Sequence, residues 1–277
     1  MSQAQSREKY VVVTKKNGVL TCRMNRPKKL NGWTLEMMES FVGTFEDAAK
    51  DDDVKALIFT GTGRYFSAGV NLAGTFSLKH PRELHRWIKE HNQHLFEVFL
   101  NFPKPVLVAV NGAAIGASVT SATLCDGIIA AEEATFSTPF GALYIPPEGC
   151  SSEVFPKLIG EDNASKILKE GWKPTAKEAL EIGLIQWVVS GDELLDKAQE
   201  IAEGWIEEGH TRSYPCDFSL DELKKINARE SEELATAFLS PPFLSNQARF
   251  LWSKKKRIPS IMFKTLSALH PLWSRLM

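Results

Sequence analysis

From Tyr10 to Met24, Val11 and Val13 alternate with Val12 and Thr14, Asn17-Gly18 supplies a turn, and Val19 to Met24 returns. Period-two patterning around an Asn-Gly pair predicts a β-hairpin, because that pair tolerates the positive φ angles of a tight turn. From Thr34 to Lys50 the period changes. Leu35, Met38, Phe41, Val42 and Phe45 form one helical stripe behind Thr34, a residue suited to cap a helix. Val54 to Thr60 is a short apolar run that fits a buried parallel strand.

Pro81 opens a long helix through Leu84, Trp87, Ile88, His91 and Leu95, which Pro103 and Pro105 end. Val106 to Val110 reads as the next strand, Ile115 to Leu124 as a helix of small residues, and Gly127 to Ala131 as a further strand. Strand and helix alternate in this way over roughly the first 190 residues, which predicts an α/β fold with parallel pairing. From Asp192 the pattern turns helical, with Glu193 to Glu208 and Leu220 to Leu239, then a break at Pro241-Pro242 before a basic, apolar tail. A soft boundary falls near residue 200, separating a 1–200 α/β core from a 201–277 helical C-terminal region.

Composition narrows the class. The chain has 277 residues, 43% apolar and 24% charged, with a formal net charge of −1, so no global field draws it to nucleic acid or an anionic membrane. Cys22, Cys125, Cys150 and Cys216 lie far apart and match no zinc or redox spacing, which favours a reducing compartment. No run of about 18 apolar residues suggests a transmembrane segment. The start of the chain lacks the pattern of a secretory signal or mitochondrial presequence, and Arg275-Leu276-Met277 is not a Ser-Lys-Leu type address.

Two predicted strands end in loops of small residues: Arg64-Tyr65-Phe66-Ser67-Ala68-Gly69-Val70-Asn71-Leu72 after Thr60, and Asn111-Gly112-Ala113-Ala114-Ile115-Gly116-Ala117-Ser118 after Val110. Backbone amides in such loops can hold a developing oxyanion, and glycine lets a ligand come close. The same loops also read as tight packing turns, and spacing alone leaves both open.

Phe66-Ser67-Ala68-Gly69-Val70-Asn71-Leu72, the run Asn111-Gly112-Ala113-Ala114-Ile115-Gly116, the pair Cys125-Asp126, and Met24-Asn25-Arg26-Pro27 with Asn31 together resemble the crotonase (enoyl-CoA hydratase/isomerase) superfamily. Thr175 to Leu184 resembles a late helix of that family. The likeness implies a ββα spiral core with a helical C-terminal region, an acyl-CoA substrate and an assembly of three or six copies. It also implies an oxyanion hole made by the amides of Val70 and Ala117. Ser67, Ala68, Gly69, Asn71, Leu72, Gly116, Phe140 and Ile145 are then expected around the substrate. Asn71 departs from the aspartate usual in the family at its position.

The same resemblance separates the chemistries. Hydratases of the superfamily carry two glutamates, where this chain has Thr120 and Phe140. One acid remains in a suggestive place: Glu148, within Ile145-Pro146-Pro147-Glu148-Gly149-Cys150-Ser151-Ser152. Apolar neighbours should raise its pKa and make it a better base; by spacing alone it also reads as a solvated loop acid. Its run resembles the peroxisomal Δ3,Δ2-enoyl-CoA isomerase branch. That branch implies that Glu148 moves a proton from C2 to C4 of a 3-enoyl-CoA, in the oxidation of unsaturated fatty acids. No metal or redox cofactor is expected, coenzyme A being part of the substrate, and a peroxisomal or cytosolic location fits better than a mitochondrial one. The alternative is a catalytically silent module of the same fold that binds acyl-CoA or protein.

Other features carry less. His91 and His94 lack the pattern of a metal site. Gly61-Thr62-Gly63 is no dinucleotide fingerprint. Lys254-Lys255-Lys256-Arg257 reads as a solvated helix end, a nucleic-acid or nuclear-import patch, or a contact for coenzyme A phosphates. The apolar tail from Ile261 to Leu276 suits packing on the core or on another copy.

Overall fold

Asn17 and Gly18 both hold positive φ, at 50° and 80°. They turn β1 (Val11–Lys16) into β2 (Val19–Met24), antiparallel, with Val11 opposite Met24 and Lys16 opposite Val19. The hairpin lies where the alternation placed it. The structure is a computed structural model describing residues 9–71 and 80–276. Leu72 lies outside the described residues.

α1 (Leu35–Lys50) starts at Thr34, whose hydroxyl accepts the Met37 amide at 3.3 Å. β3 (Ala56–Gly61) and the short β4 (Tyr65–Ser67) follow. α2 (Pro81–Asn101) begins at its proline and ends before Pro103. The chain then builds β5 (Val106–Val110), β6 (Ala113–Ile115) and α3 (Ala117–Thr120), and next β7 (Gly127–Ala131), β8 (Phe136–Ser137) and α4 (Phe140–Leu143). α5 (Ser151–Ile159), α6 (Glu161–Ser165), α7 (Ala176–Glu181) and β9 (Trp187–Val189) complete the α/β part. The C-terminal helices are α8 (Leu194–Glu207), α9 (Leu220–Phe238), α10 (Pro241–Ser253), α11 (Arg257–Ala268) and α12 (His270–Trp273).

The large sheet runs β1-β2-β3-β5-β7-β9 and is parallel from β2 onward. A second, three-stranded parallel sheet runs β4-β6-β8. Each of β3, β5 and β7 thus hands the chain to a short strand of the other sheet before a loop or helix. These are successive turns of a ββα spiral. Both faces of the large sheet are covered, which explains its unbroken apolar strands. Leu57, Phe59, Val106 and Val108 enter the main core, whereas Ala56, Ile58, Leu107 and Ala109 meet Ala198 and Ala202 of α8.

One expected element is broken. Ile115 to Leu124 is not a single helix: Ile115 ends β6, α3 has four residues, and a 3-10 turn covers Ala122–Leu124. Gly116, at φ 62° and ψ −128°, imposes the corner, a conformation that side chains with Cβ disfavour. Pro241 does not break the chain but starts α10, since proline lacks only an amide that the first helical turn leaves unpaired.

Site-forming contacts come from the packing of α9 along α2, where Asn227 Nδ2 donates to the Gln93 carbonyl at 2.9 Å. α10 and α11 form a hairpin tied by Ser260 Oγ to the Ala248 carbonyl at 2.7 Å. Among the described residues no helix is long and apolar enough to cross a membrane.

Candidate active site

Trp33 anchors the first loop. Its ring is fully buried against Phe41 and Phe99, with centroids 5.1 and 6.3 Å away. Its main chain brackets Val70: the Trp33 amide donates to the Gly69 carbonyl at 2.9 Å, and the Asn71 amide donates to the Trp33 carbonyl at 3.0 Å. Ser67 braces the loop from behind. Its hydroxyl donates to the Asn31 carbonyl at 2.8 Å and accepts the Gly69 amide at 3.0 Å. Asn31, itself buried, holds the Arg26 amide and the Thr62 and Tyr65 carbonyls. The Val70 N–H faces away from this bracket.

The second loop approaches closely. A Cβ on Gly69, whose φ is +77°, would stand 2.5 Å from the Ile115 carbonyl oxygen, so only glycine allows the two loops to touch. The Gly116 amide donates to the Ser137 carbonyl at 2.7 Å, and the Ala117 amide follows as the first of α3. Among the described residues no protein acceptor takes the Val70 or the Ala117 amide.

Val70 and Ala117 both line one apolar cavity, together with Ala68, Gly69, Gly116, Phe140, Ile145 and Glu148. α2 supplies Trp87, Ile88, Asn92 and Leu95 to its wall, and α9 supplies Leu234 and Phe238. The structure therefore gathers most of the residues marked in the sequence. Two lie elsewhere: Ser67 is buried behind the wall, and Asn71 borders a second cavity. That second cavity shares Ala68, Gly69, Val70 and Leu143 with the first and carries Arg26 and Lys29 on its rim. The Lys254–Arg257 cluster sits at the exposed turn after α10 and lines neither cavity.

Glu148 is the one carboxyl among the described residues of the first cavity's lining, and it is 7% exposed. Burial pushes it up to about 7, against the pull of a hydrogen bond from Asn92 Nδ2 to Oε2 at 2.7 Å. Asn92 is held in turn by Ser231 Oγ, which donates to its Oδ1 at 2.9 Å. Sequence reading missed Asn92 and Ser231. Their signal is positional: Asn92 interrupts the buried stripe of Ile88, Leu95, Phe96 and Phe99, and Ser231 interrupts that of α9. Thr120 and Phe140, at the positions of the expected hydratase acids, offer a buried hydroxyl and a ring in the cavity wall. His91 also lines the cavity, its Nδ1 bonded to the Trp87 carbonyl at 2.8 Å. Among the described residues no cluster of three potential metal ligands occurs.

Residues 14–233 match the family model described as Enoyl-CoA hydratase/isomerase. The chain belongs to the enoyl-CoA hydratase/isomerase family. Enoyl-CoA delta isomerase 2 of Homo sapiens is 39% identical over 178 residues, covering 63% of this chain and 45% of the human protein. Enoyl-CoA delta isomerase 3, peroxisomal, of Mus musculus is 36% identical over 180 residues, covering 64% of this chain and 56% of the mouse protein. The matched region thus spans about half the length of these two relatives. An enoyl-CoA hydratase/isomerase structure from Pseudoalteromonas atlantica superposes with a TM-score of 0.74 at 26% identity, covering 88% of this chain and 98% of the other. The ββα spiral is the fold of this enoyl-CoA hydratase/isomerase family.

Proposed function

We propose that this chain is a Δ3,Δ2-enoyl-CoA isomerase in which Glu148 carries the proton. The observation that supports this most is that, among the described residues, one buried carboxyl shares an apolar cavity with Val70 and Ala117, whose amides have no protein acceptor. Addition of water by the usual route of the family needs a second acid, and Thr120 and Phe140 supply none. The similarity to two delta isomerases points the same way.

In this reading the Val70 and Ala117 amides donate to the thioester oxygen. The Glu148 carboxylate takes a proton from C2 of a 3-enoyl-CoA, and the C2–H electron pair moves into a dienolate whose negative oxygen those amides stabilise. The resulting carboxylic acid returns the proton to C4 as the double bond closes between C2 and C3. The product is trans-2-enoyl-CoA and Glu148 is ionised again. Nothing beyond the coenzyme A of the substrate enters the cycle. Desolvation suits Glu148 to both halves, since a group with pKa near 7 accepts and returns a proton with similar ease.

The acyl chain would lie against Trp87, Ile88, Leu234 and Phe238, and the coenzyme A arm would leave past Leu143 towards Arg26 and Lys29. Assembly as a homotrimer or hexamer, and a peroxisomal or cytosolic place in the oxidation of unsaturated fatty acids, belong to the same proposal. The mouse relative's name supports the peroxisomal option.

Incubation of the purified protein with 3-enoyl-CoA, 2-enoyl-CoA and saturated acyl-CoA tests the assignment. Conversion of the first alone to trans-2-enoyl-CoA is expected. Hydration of 2-enoyl-CoA, or no conversion of any of the three, contradicts it.

A further inference from the structure

Glu230 is a second carboxyl buried close to the site, 1% exposed, and no step of the proposed cycle uses it. It sits in the inward stripe of α9 with Leu223, Ile226, Asn227, Ser231 and Leu234, where a charged group needs a specific reason to be. The adjacent cation is not its partner in a salt bridge: Arg229 pairs with Glu153 at 2.8 Å. Glu230 instead spends both oxygens on backbone amides. Oε2 accepts the Cys150 amide at 2.6 Å and Oε1 accepts the Ser152 amide at 2.9 Å.

Those amides open α5. The N-cap residue of α5 is Cys150, whose side chain makes no capping bond, so a carboxylate 80 residues downstream takes over that duty. The corner it grips is strained. Gly149 and Cys150 hold φ of +67° and +64°, and a Cβ on Gly149 would stand 2.4 Å from the Phe96 ring. Glu148 is the residue entering this corner, and its own carbonyl accepts Ser151 Oγ at 2.7 Å. One helix thus reaches Glu148 twice: Glu230 fixes the main chain behind it, and Ser231 fixes the Asn92 amide in front of it.

We infer that Glu230 is a positioning residue for Glu148, setting through the Cys150 and Ser152 amides the direction in which the Glu148 carboxyl enters the cavity. This rests on the isomerase reading above. The two carboxyls also feel one another. Burial first, with the Glu148 charge adding to it, pushes Glu230 up to about 7 against the hydrogen bonds from Ser152 and Cys150. Coupling of this kind is mutual, so a charged Glu230 opposes ionisation of Glu148. Cys150, Glu153 and Arg229 are the other ionisable groups nearby, and burial holds the Cys150 thiol well above its ordinary value.

Glu230→Gln keeps the size of the side chain but turns an NH2 towards one of the two amides and removes the charge. The test measures kcat and KM for 3-enoyl-CoA across the pH range in which the protein stays folded, with thermal stability and saturated acyl-CoA affinity alongside. The expected result is a fall in kcat of about 10- to 100-fold, as small misplacements of a reacting group produce. KM and acyl-CoA affinity should stay within roughly twofold, and the acid limb of the profile should move to lower pH. A loss of thermal stability with kcat and the acid limb unchanged would mean that Glu230 only caps α5, and would overturn the inference. If the Gln variant does not fold, Glu230→Asp decides: it keeps the charge but shortens the reach, so kcat should fall with the acid limb in place, and an unchanged kcat overturns the role. A wild-type protein that leaves 3-enoyl-CoA unconverted instead overturns the isomerase reading and this role with it. An active wild type matched by its Glu230 variants overturns the role alone.

Discussion

The Asn92 amide reaches from α2 to the Glu148 carboxyl, Nδ2 to Oε2 at 2.7 Å, across 56 residues of sequence. Because the amide donates, it favours the ionised carboxylate, while burial favours the protonated acid. Burial wins. The hydrogen bond therefore tempers an acid that would otherwise hold its proton more tightly, and it aims one oxygen.

Asn92→Ala should then do two things. With its donor gone, Glu148 should hold its proton to still higher pH, and its carboxyl should lose a fixed direction. Steady-state kinetics should give kcat lowered by roughly tenfold or more and an acid limb of kcat/KM displaced to higher pH. A variant with unchanged kcat and an unchanged limb would show that Asn92 is a bystander.

The wild-type profile carries its own prediction. A base must be ionised to take the C2 proton, and Glu148 stands at about 7 rather than in the ordinary carboxylate range. kcat/KM for 3-enoyl-CoA should therefore rise with pH through about 7 and level above it. A limb near the ordinary carboxylate value would place the working acid in water.

Much of the frame was legible because it is local. Asn17-Gly18, Thr34 and Pro81 act on their own neighbours, and each built the turn, cap or helix start expected of it. The second sheet was not legible, since β6 and β8 hold three and two residues, too few for a period to register. The same limit merged Ile115 into a helix that Gly116 in fact breaks. Glu148 is marked by resemblance rather than by spacing, because the residues that share its cavity come from α2 and α9, far from it in the chain, as well as from its own loop. Asn92 and Glu230 grip partners 56 and 80 residues away, so their only trace in the sequence is a polar residue on an apolar stripe.

Gly116 offers a test of the amides. Its φ of 62° and ψ of −128° suit glycine, and no neighbouring atom lies within 4 Å of a Cβ built there. Gly116→Ala should accordingly fold but turn the peptide that carries the Ala117 N–H. Loss of one such donor typically lowers kcat by about 100- to 1,000-fold. Full activity in a folded Gly116→Ala protein would remove Ala117 from the oxyanion hole.

Glu148 should also tax stability. Its folded pKa, about 7, lies above the ordinary value of 4.5, so between these the folded protein keeps a proton that the unfolded chain has released. The associated stability is fully present below about 4.5 and is lost as pH rises through about 7. Glu148→Gln avoids that loss. At pH above about 7 the variant should be more stable than wild type by on the order of 3 kcal/mol, with the gap closing as pH falls towards 4.5. Denaturant unfolding at two pH values measures it; a gap that does not depend on pH would contradict the buried, proton-holding acid.

Turnover of 3-enoyl-CoA by Glu148→Gln, measured beside its affinity for a saturated acyl-CoA, bears most directly on the proton-carrying role. The expected outcome is isomerisation reduced by about 1,000-fold or more with acyl-CoA still bound as in wild type. Near-full turnover by that variant would mean that another group moves the proton, and the assignment of Glu148 would be wrong.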